Sequence, residues 1–151
     1  SITVLSEVHP MYTAGGKEAL IDGITGTENW KTGDWQSYYA KDFEAIIDLQ
    51  KEKSLQYVGV HVLQDVSPWI VYPKEVIFER SNDRKNWQPL TIVKNNIGTD
   101  IKGPVHQQIG AAVMAKARYI KVKAISGGSL PAWHESAGYP SHLFIDEVLI
   151  R

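Results

Sequence analysis

The chain has 151 residues, 43% of them hydrophobic and 22% charged, a balance that excludes fibrous and disordered classes and points to one domain spanning 1–151. Sixteen basic residues stand against 17 acidic ones, a formal net charge of −1, so nothing electrostatic calls for nucleic acid or an anionic membrane as partner. The absence of cysteine removes disulfides, thiol catalysis and thiolate metal sites together.

Short runs of Val, Ile, Tyr and Phe, divided by Gly, Pro, Asn, Asp and Ser, predict an antiparallel all-β domain. No stretch approaches the roughly 18 apolar residues of a membrane span, and Ser1 to Leu5 is too short for a signal core, so an export signal is expected outside this chain. The first strand is expected over Ile2 to Val8. Lys17 to Asp22 forms one helical turn stopped by Gly23, and an irregular stretch runs from Gly23 to Ala40. Strands follow at Phe43 to Leu49 and Leu55 to Leu63. In the latter, Val58, Val60 and Val62 alternate with Tyr57, Gly59 and His61, so one face belongs to the core. Further strands are expected at Glu75 to Ser81, Gln88 to Val93, Val105 to Val113 and Arg118 to Ile125. The alanines of Ile109 to Ala117 also suit a helix, but alternation from Gln107 to Met114 favours strand. Lys121 and Lys123 mark a wet face. A second irregular stretch, Ser126 to His142, precedes a last strand at Leu143 to Ile150. Eight strands with turn signals between them predict a sandwich or barrel.

Two places could carry chemistry. Asp22, Gly23 and Thr27 offer a carboxylate, a tight reversal and a hydroxyl around which carbonyls could complete an oxygen shell for a hard cation. The same residues also read as a helix stop followed by a surface turn. The loop around Trp133, His134, Glu135 and Tyr139 mixes aromatic faces with polar groups, as a sugar site requires. Trp35, Gln36 and Tyr38 from the first irregular stretch, and Asp65 and Trp69 from the Gln64 to Pro73 loop, are expected to converge on it. Trp30 and Trp87 are expected to be core residues and Trp133 exposed. No catalytic set emerges: His9 and His61 read as satisfied structural histidines. Glu135 and Asp146 form a glycosidase pair only if they face each other at about 5–10 Å, and Ser126-Gly127-Gly128-Ser129 lacks the lysine of a phosphate loop.

Several segments together resemble one family. Ala19-Leu20-Ile21-Asp22-Gly23 with Thr27 and Trp30, Ile46-Ile47-Asp48-Leu49, Val76 to Asp83 leading to Trp87, Ala117 to Val122, and Ile145-Asp146-Glu147-Val148 are similar in order and spacing to the discoidin, or coagulation-factor type C, domain. The likeness is to its carbohydrate-binding bacterial branch. Trp35-Gln36-Ser37-Tyr38 and Trp133-His134 look like the C-terminal module of bacterial β-N-acetylhexosaminidases, the chitobiases. The resemblance implies an eight-stranded antiparallel jelly-roll β-sandwich of galactose-binding-domain-like type. It also implies a structural Ca2+ on the side chains of Asp22, Thr27 and Glu147 with carbonyls of Ala19, Ile24 and Asp146. Ile24 stands where some relatives have Asn, and Arg84 where relatives usually have Gly.

The implied function is non-catalytic: a monomeric, secreted or cell-surface module targeting a linked glycoside hydrolase to terminal galactose- or N-acetylhexosamine-type sugars. Its expected sugar contacts are Trp133, His134, Trp35, Trp69 and Tyr139. The alternative is a structural domain that packs on the parent catalytic domain without binding sugar. An anionic-membrane binder is disfavoured by Asp34, Asp65 and Glu135 among the tryptophans.

Overall fold

Apolar alternation carries the chain into seven strands and one 3-10 turn in a computed structural model that describes residues 1–101 and 103–151. The strands are β1 (Ile2–Val4), β2 (Gln36–Tyr39), β3 (Phe43–Gln64), β4 (Glu75–Ser81), β5 (Gln88–Lys94), β6 (Val105–Ala124) and β7 (His142–Ile150), with the 3-10 turn at Lys17–Ile21. Every named pairing is antiparallel.

The two long strands make the sandwich. Ile47 of β3 pairs with Ile2 on one side and Ile120 on the other, while Val122 of β6 pairs with Ala45 and Phe78. One layer is therefore β1, the first part of β3, the last part of β6, β4 and β5. Farther along, Val60 pairs with Ile109 and Val148, and Ile145 of β7 pairs with Gln36. The second layer is β2, β7, the last part of β3 and the first part of β6. The strands cross between layers at a register break between Asp48 and Lys53, where an irregular ladder lets a strand bend. Arg118 forks onto Asp48 at this corner, with nitrogen–oxygen distances of 3.0 and 3.1 Å.

The predicted all-β antiparallel sandwich is thus the fold, with strands fewer and longer than the eight expected. Gln50 to Ser54 is solvent-exposed but keeps strand geometry as it turns the corner, so two expected strands are one. Val105 to Val113 and Arg118 to Ile125 likewise join through Met114. β1 is shorter than expected, stopping at Val4.

The main core lies between the layers and includes Ile2, Tyr38, Phe43, Phe78, Val122 and Ile145. A smaller one, Trp35, Leu63, Ile70 and Phe144 with Tyr12 and Trp30 packed against it, forms on the outer side of the second layer. There β7 presents Phe144 and Asp146 opposite to Leu143 and Ile145. This covering buries both faces of the last part of β3, where alternation predicts only one. Trp30 is half-buried in the small core as expected, whereas Trp87 is half-buried at the surface under Lys121, whose Nζ lies 4.3 Å from the ring centroid.

Candidate functional site

The turn after the 3-10 segment closes against β7. Gly23 has φ 80, which an L side chain rarely adopts, and its N–H reaches both carboxylate oxygens of Glu147 at 3.1 and 3.2 Å. Asp22 accepts the N–H of Ile24 at 2.8 Å, and its carboxyl also reaches Glu147. Glu147 is 4% exposed, and burial pushes its carboxyl up to about 7; the Gly23 N–H opposes the rise, and the charges of Asp22 and Asp146 add to it. A buried carboxylate crowded by like charges gains from a nearby cation.

The donor set fits a hard cation in part. Asp22 and Glu147 supply adjacent carboxylates. The side chain of Asp146 is already engaged by the Gly26 N–H and by His61, which leaves its carbonyl as the available donor. Thr27 Oγ1 accepts the N–H of Asn29 at 3.2 Å and keeps a second lone pair. Among the described residues no group of three or more His, Cys, Asp or Glu side chains could hold a metal ion, so the carbonyls of Ala19 and Ile24 are needed to complete a shell. A cleft of about 660 Å³ lies beside this turn, lined in part by Ile21, Asp22, Asp48 and Glu147.

The aromatic residues gather where β7 begins. Residues 65–70 form a tight reversal in which Asp65 and Ile70 exchange N–H···O bonds of 3.0 Å, and Trp69 N–H donates to Val66 O at 2.9 Å. The turn requires φ 73 at Trp69, a left-handed conformation costly for a bulky side chain. Its ring lies 5.5 Å from that of Tyr139, at 38°. Tyr139 is 59% exposed and Trp133 50% exposed. The 126–141 loop is closed by the bridge between Ser129 and Pro140 and by Ser141 Oγ donating to Gly128 O at 2.7 Å.

Two expected contacts are placed elsewhere. Trp35 is 1% exposed: its Nε1–H donates to Thr27 O at 2.9 Å and its ring stacks on His61 in the small core. Gln36 and Tyr38 are buried as well, but on the opposite face of β2, with Tyr38 in the main core. His134 is 7% exposed, its Nε2 within 3.1 Å of Val66 O and Ser67 O while Nδ1 accepts the Ser136 N–H at 2.9 Å. With both ring nitrogens used, His134 clamps the two aromatic loops together and offers nothing to a hydroxyl. The exposed Glu135 sits on the aromatic loop, while Asp146 is 2% exposed and bonded to His61, so they do not face one another. Sequence reasoning missed the clamp, whose local trace is His134 placed two residues before Ser136, the N–H of which it accepts.

No curated protein matches the chain. Among solved structures it is similar to CBM32-3 from a family 31 glycoside hydrolase of Clostridium perfringens, with TM-score 0.60 and 16% identity over 98% of this chain and 86% of that one. A fucose binding module of Streptococcus pneumoniae gives TM-score 0.58 and 21% identity, covering 99% and 89%. CpGH89CBM32-5 of Clostridium perfringens, solved in complex with GalNAc-β-1,3-galactose, gives 0.54 and 15%, covering 99% and 93%. These likenesses show a shared fold. The sequence pattern of the F5/8 type C domain matches residues 1–143, and on that match the chain belongs to the F5/8 type C domain family.

Proposed function

We propose that the chain is a non-catalytic carbohydrate-binding module whose platform is formed by Trp133, Tyr139 and Trp69. The observation that carries this is the Trp69–Tyr139 ring pair, 5.5 Å apart, on two loops clamped by His134, with Tyr139 and Trp133 of the same loop half or more exposed. Rigid exposed aromatic faces stack on sugar C–H faces at little entropic cost. The strained backbone at Trp69 is consistent with a side chain retained for its contacts. Asp65 and Glu135 stand on the same two loops as acceptors for sugar hydroxyls. Solved relatives of this fold whose names state a sugar ligand, among them fucose and GalNAc-β-1,3-galactose, support the same reading.

The preferred ligand is a terminal galactose- or N-acetylhexosamine-type sugar, and the module targets a linked exo-glycosidase of β-N-acetylhexosaminidase type in an extracytoplasmic setting. A structural Ca2+ held by Asp22, Glu147 and Thr27 with carbonyls of Ala19, Ile24 and Asp146 supplies positive charge to the carboxylates. Gly23 and Gly26 hold the turn against β7. Calorimetric titration of galactose and N-acetylglucosamine tests the function. Trp133→Ala and Tyr139→Ala should each weaken binding at least about tenfold, equivalent to about 1.4 kcal/mol, with unfolding unchanged. Sugar binding unaltered in both variants rejects the site, and no binding by the parent chain favours a protein-packing role for the exposed rings.

A further inference from the structure

Beneath Trp35, on the outer side of the second layer, a line of four side chains takes no part in the sugar platform. His61 Nδ1 lies 2.7 Å from Asp146 Oδ1, His61 Nε2 lies 2.9 Å from His106 Nδ1, and His106 Nε2 lies 4.0 Å from Glu28 Oε2. The His61 side chain is 7% exposed and its ring stacks on Trp35 at 5.2 Å and 26°. The His106 side chain is 42% exposed, so the far side of the pair is open to water.

Asp146 decides where the His61 proton sits. Asp146 accepts the Gly26 N–H on Oδ2 and contacts His61 on Oδ1, so as an acceptor it draws the His61 proton to Nδ1 and leaves a lone pair on Nε2. His106 Nδ1 then donates to that lone pair across 2.9 Å, while Glu28, 4.0 Å from His106 Nε2, stands beyond hydrogen-bond reach on the far side. A cation between the two nitrogens would take the place of that shared proton, leaving His106 to carry its own on Nε2. A carboxylate on the outer nitrogen is also the support that orients metal-binding histidines and raises their basicity.

We propose that His61 Nε2 and His106 Nδ1 form a second cation site, for an imidazole-seeking divalent transition ion such as Zn2+, with water in the open positions on the His106 side. Nitrogen donors distinguish it from the oxygen-lined turn at Asp22 and Glu147, which suits a hard cation. A tetrahedral ion with metal–nitrogen bonds of about 2.0–2.1 Å places its nitrogens about 3.3 Å apart, so the half-exposed His106 need move only a few tenths of an ångström. Among the described residues no group of three or more His, Cys, Asp or Glu side chains could hold a metal ion, and the proposed site has two protein ligands. The ion would tie β6, whose first part pairs among the described residues with β3 alone, to the outer face of β3.

The test uses the intact chain, stripped with chelator and returned to excess Ca2+, then titrated with Zn2+ by calorimetry. One Zn2+ per chain is expected, and Cu2+ should quench tryptophan fluorescence through Trp35. His106→Gln should weaken Zn2+ binding at least about tenfold while the metal-free unfolding temperature stays within about 2 °C. Should His106→Gln fail to fold, the exposed Glu28→Gln should weaken Zn2+ severalfold by removing a negative charge beside the ion. Absence of Zn2+ uptake by the parent chain up to about 100 µM overturns the proposal. So does uptake within twofold of the parent in the variant tested, which would assign the ion to another histidine.

Discussion

Arg84 and His134 carry opposite lessons about single residues. Asp83 accepts N–H groups from Lys85 and Asn86, which hold its carboxyl well below the ordinary carboxylate range, and the turn it anchors sets Arg84 at φ 62. That is the position where the family resemblance expects glycine, so the backbone has kept the conformation while the side chain departed. Arg84→Gly should stabilise by up to about 1 kcal/mol, a rise of about 2–4 °C in Tm seen by thermal unfolding, less whatever the 3.2 Å bond from Arg84 to Thr3 contributes. His134 is the reverse case: it looked like a sugar contact and is a clamp. His134→Ala should cost about 1–3 kcal/mol of stability, because Ser136 N–H and two carbonyls lose their partner, and should weaken sugar binding through the loosened loops. Equal stability and affinity in chemical denaturation and calorimetry would remove that role. Trp133 is legible as exposed because Pro131, Glu135 and Gly138 give no element to bury it. Trp35 was not, since its cover is the 5–35 segment folded across β7, which leaves no local period in the sequence.

Elements were legible by composition and misjudged by extent. β4 matches its expected bounds because alternating Val76 and Phe78 face the core and turns flank both ends. β3 was divided at Gln50 to Ser54 because its corner lies outside both cores, and a strand with both faces wet has no hydrophobic period. β2 was missed for the opposite reason. Gln36, Ser37 and Tyr38 are all buried, Gln36 being satisfied by Gly16 O at 2.7 Å and the Tyr38 hydroxyl at 2.9 Å. Its aromatic content was the available strand signal. The corner of β3 gives a prediction at this scale. The Arg118 guanidinium holds Asp48 down at about 2 against an ordinary 3.8, so its contribution to stability is full above 3.8 and lost as pH falls through 2. Asp48→Asn should therefore lower Tm at neutral pH, with the difference from the parent shrinking as pH drops from 3.8 toward 2. A difference independent of pH would assign the effect to packing instead.

Across the whole molecule, β7 connects the two candidate sites. Its first residue, His142, donates its N–H to Trp69 O at 2.7 Å beside the aromatic loops, and Glu147 faces the turn at Gly23. Five residues of antiparallel strand separate them by roughly 17 Å, so cation and sugar sites are expected to fail independently. The raised Glu147 supplies the test of the first. Its folded pKa of about 7 against 4.5 means that its stabilising contribution is present below 4.5 and lost as pH rises through 7 in the cation-free chain. Calcium at about a hundred times its Kd should add about 2.7 kcal/mol, or roughly 5–10 °C in Tm, and the gain should grow between pH 5 and pH 8. A calcium effect absent at pH 8, or retained in full by Asp22→Asn, would leave the turn as a plain helix stop.

Carbohydrate recognition itself is tested most directly by a glycan array probed with the calcium-loaded chain and with Trp133→Ala side by side. Signal confined to terminal galactose- or N-acetylhexosamine-type glycans, and lost in the variant, is the expected result. An array with no signal for the parent chain, or the same signal for both proteins, would contradict it.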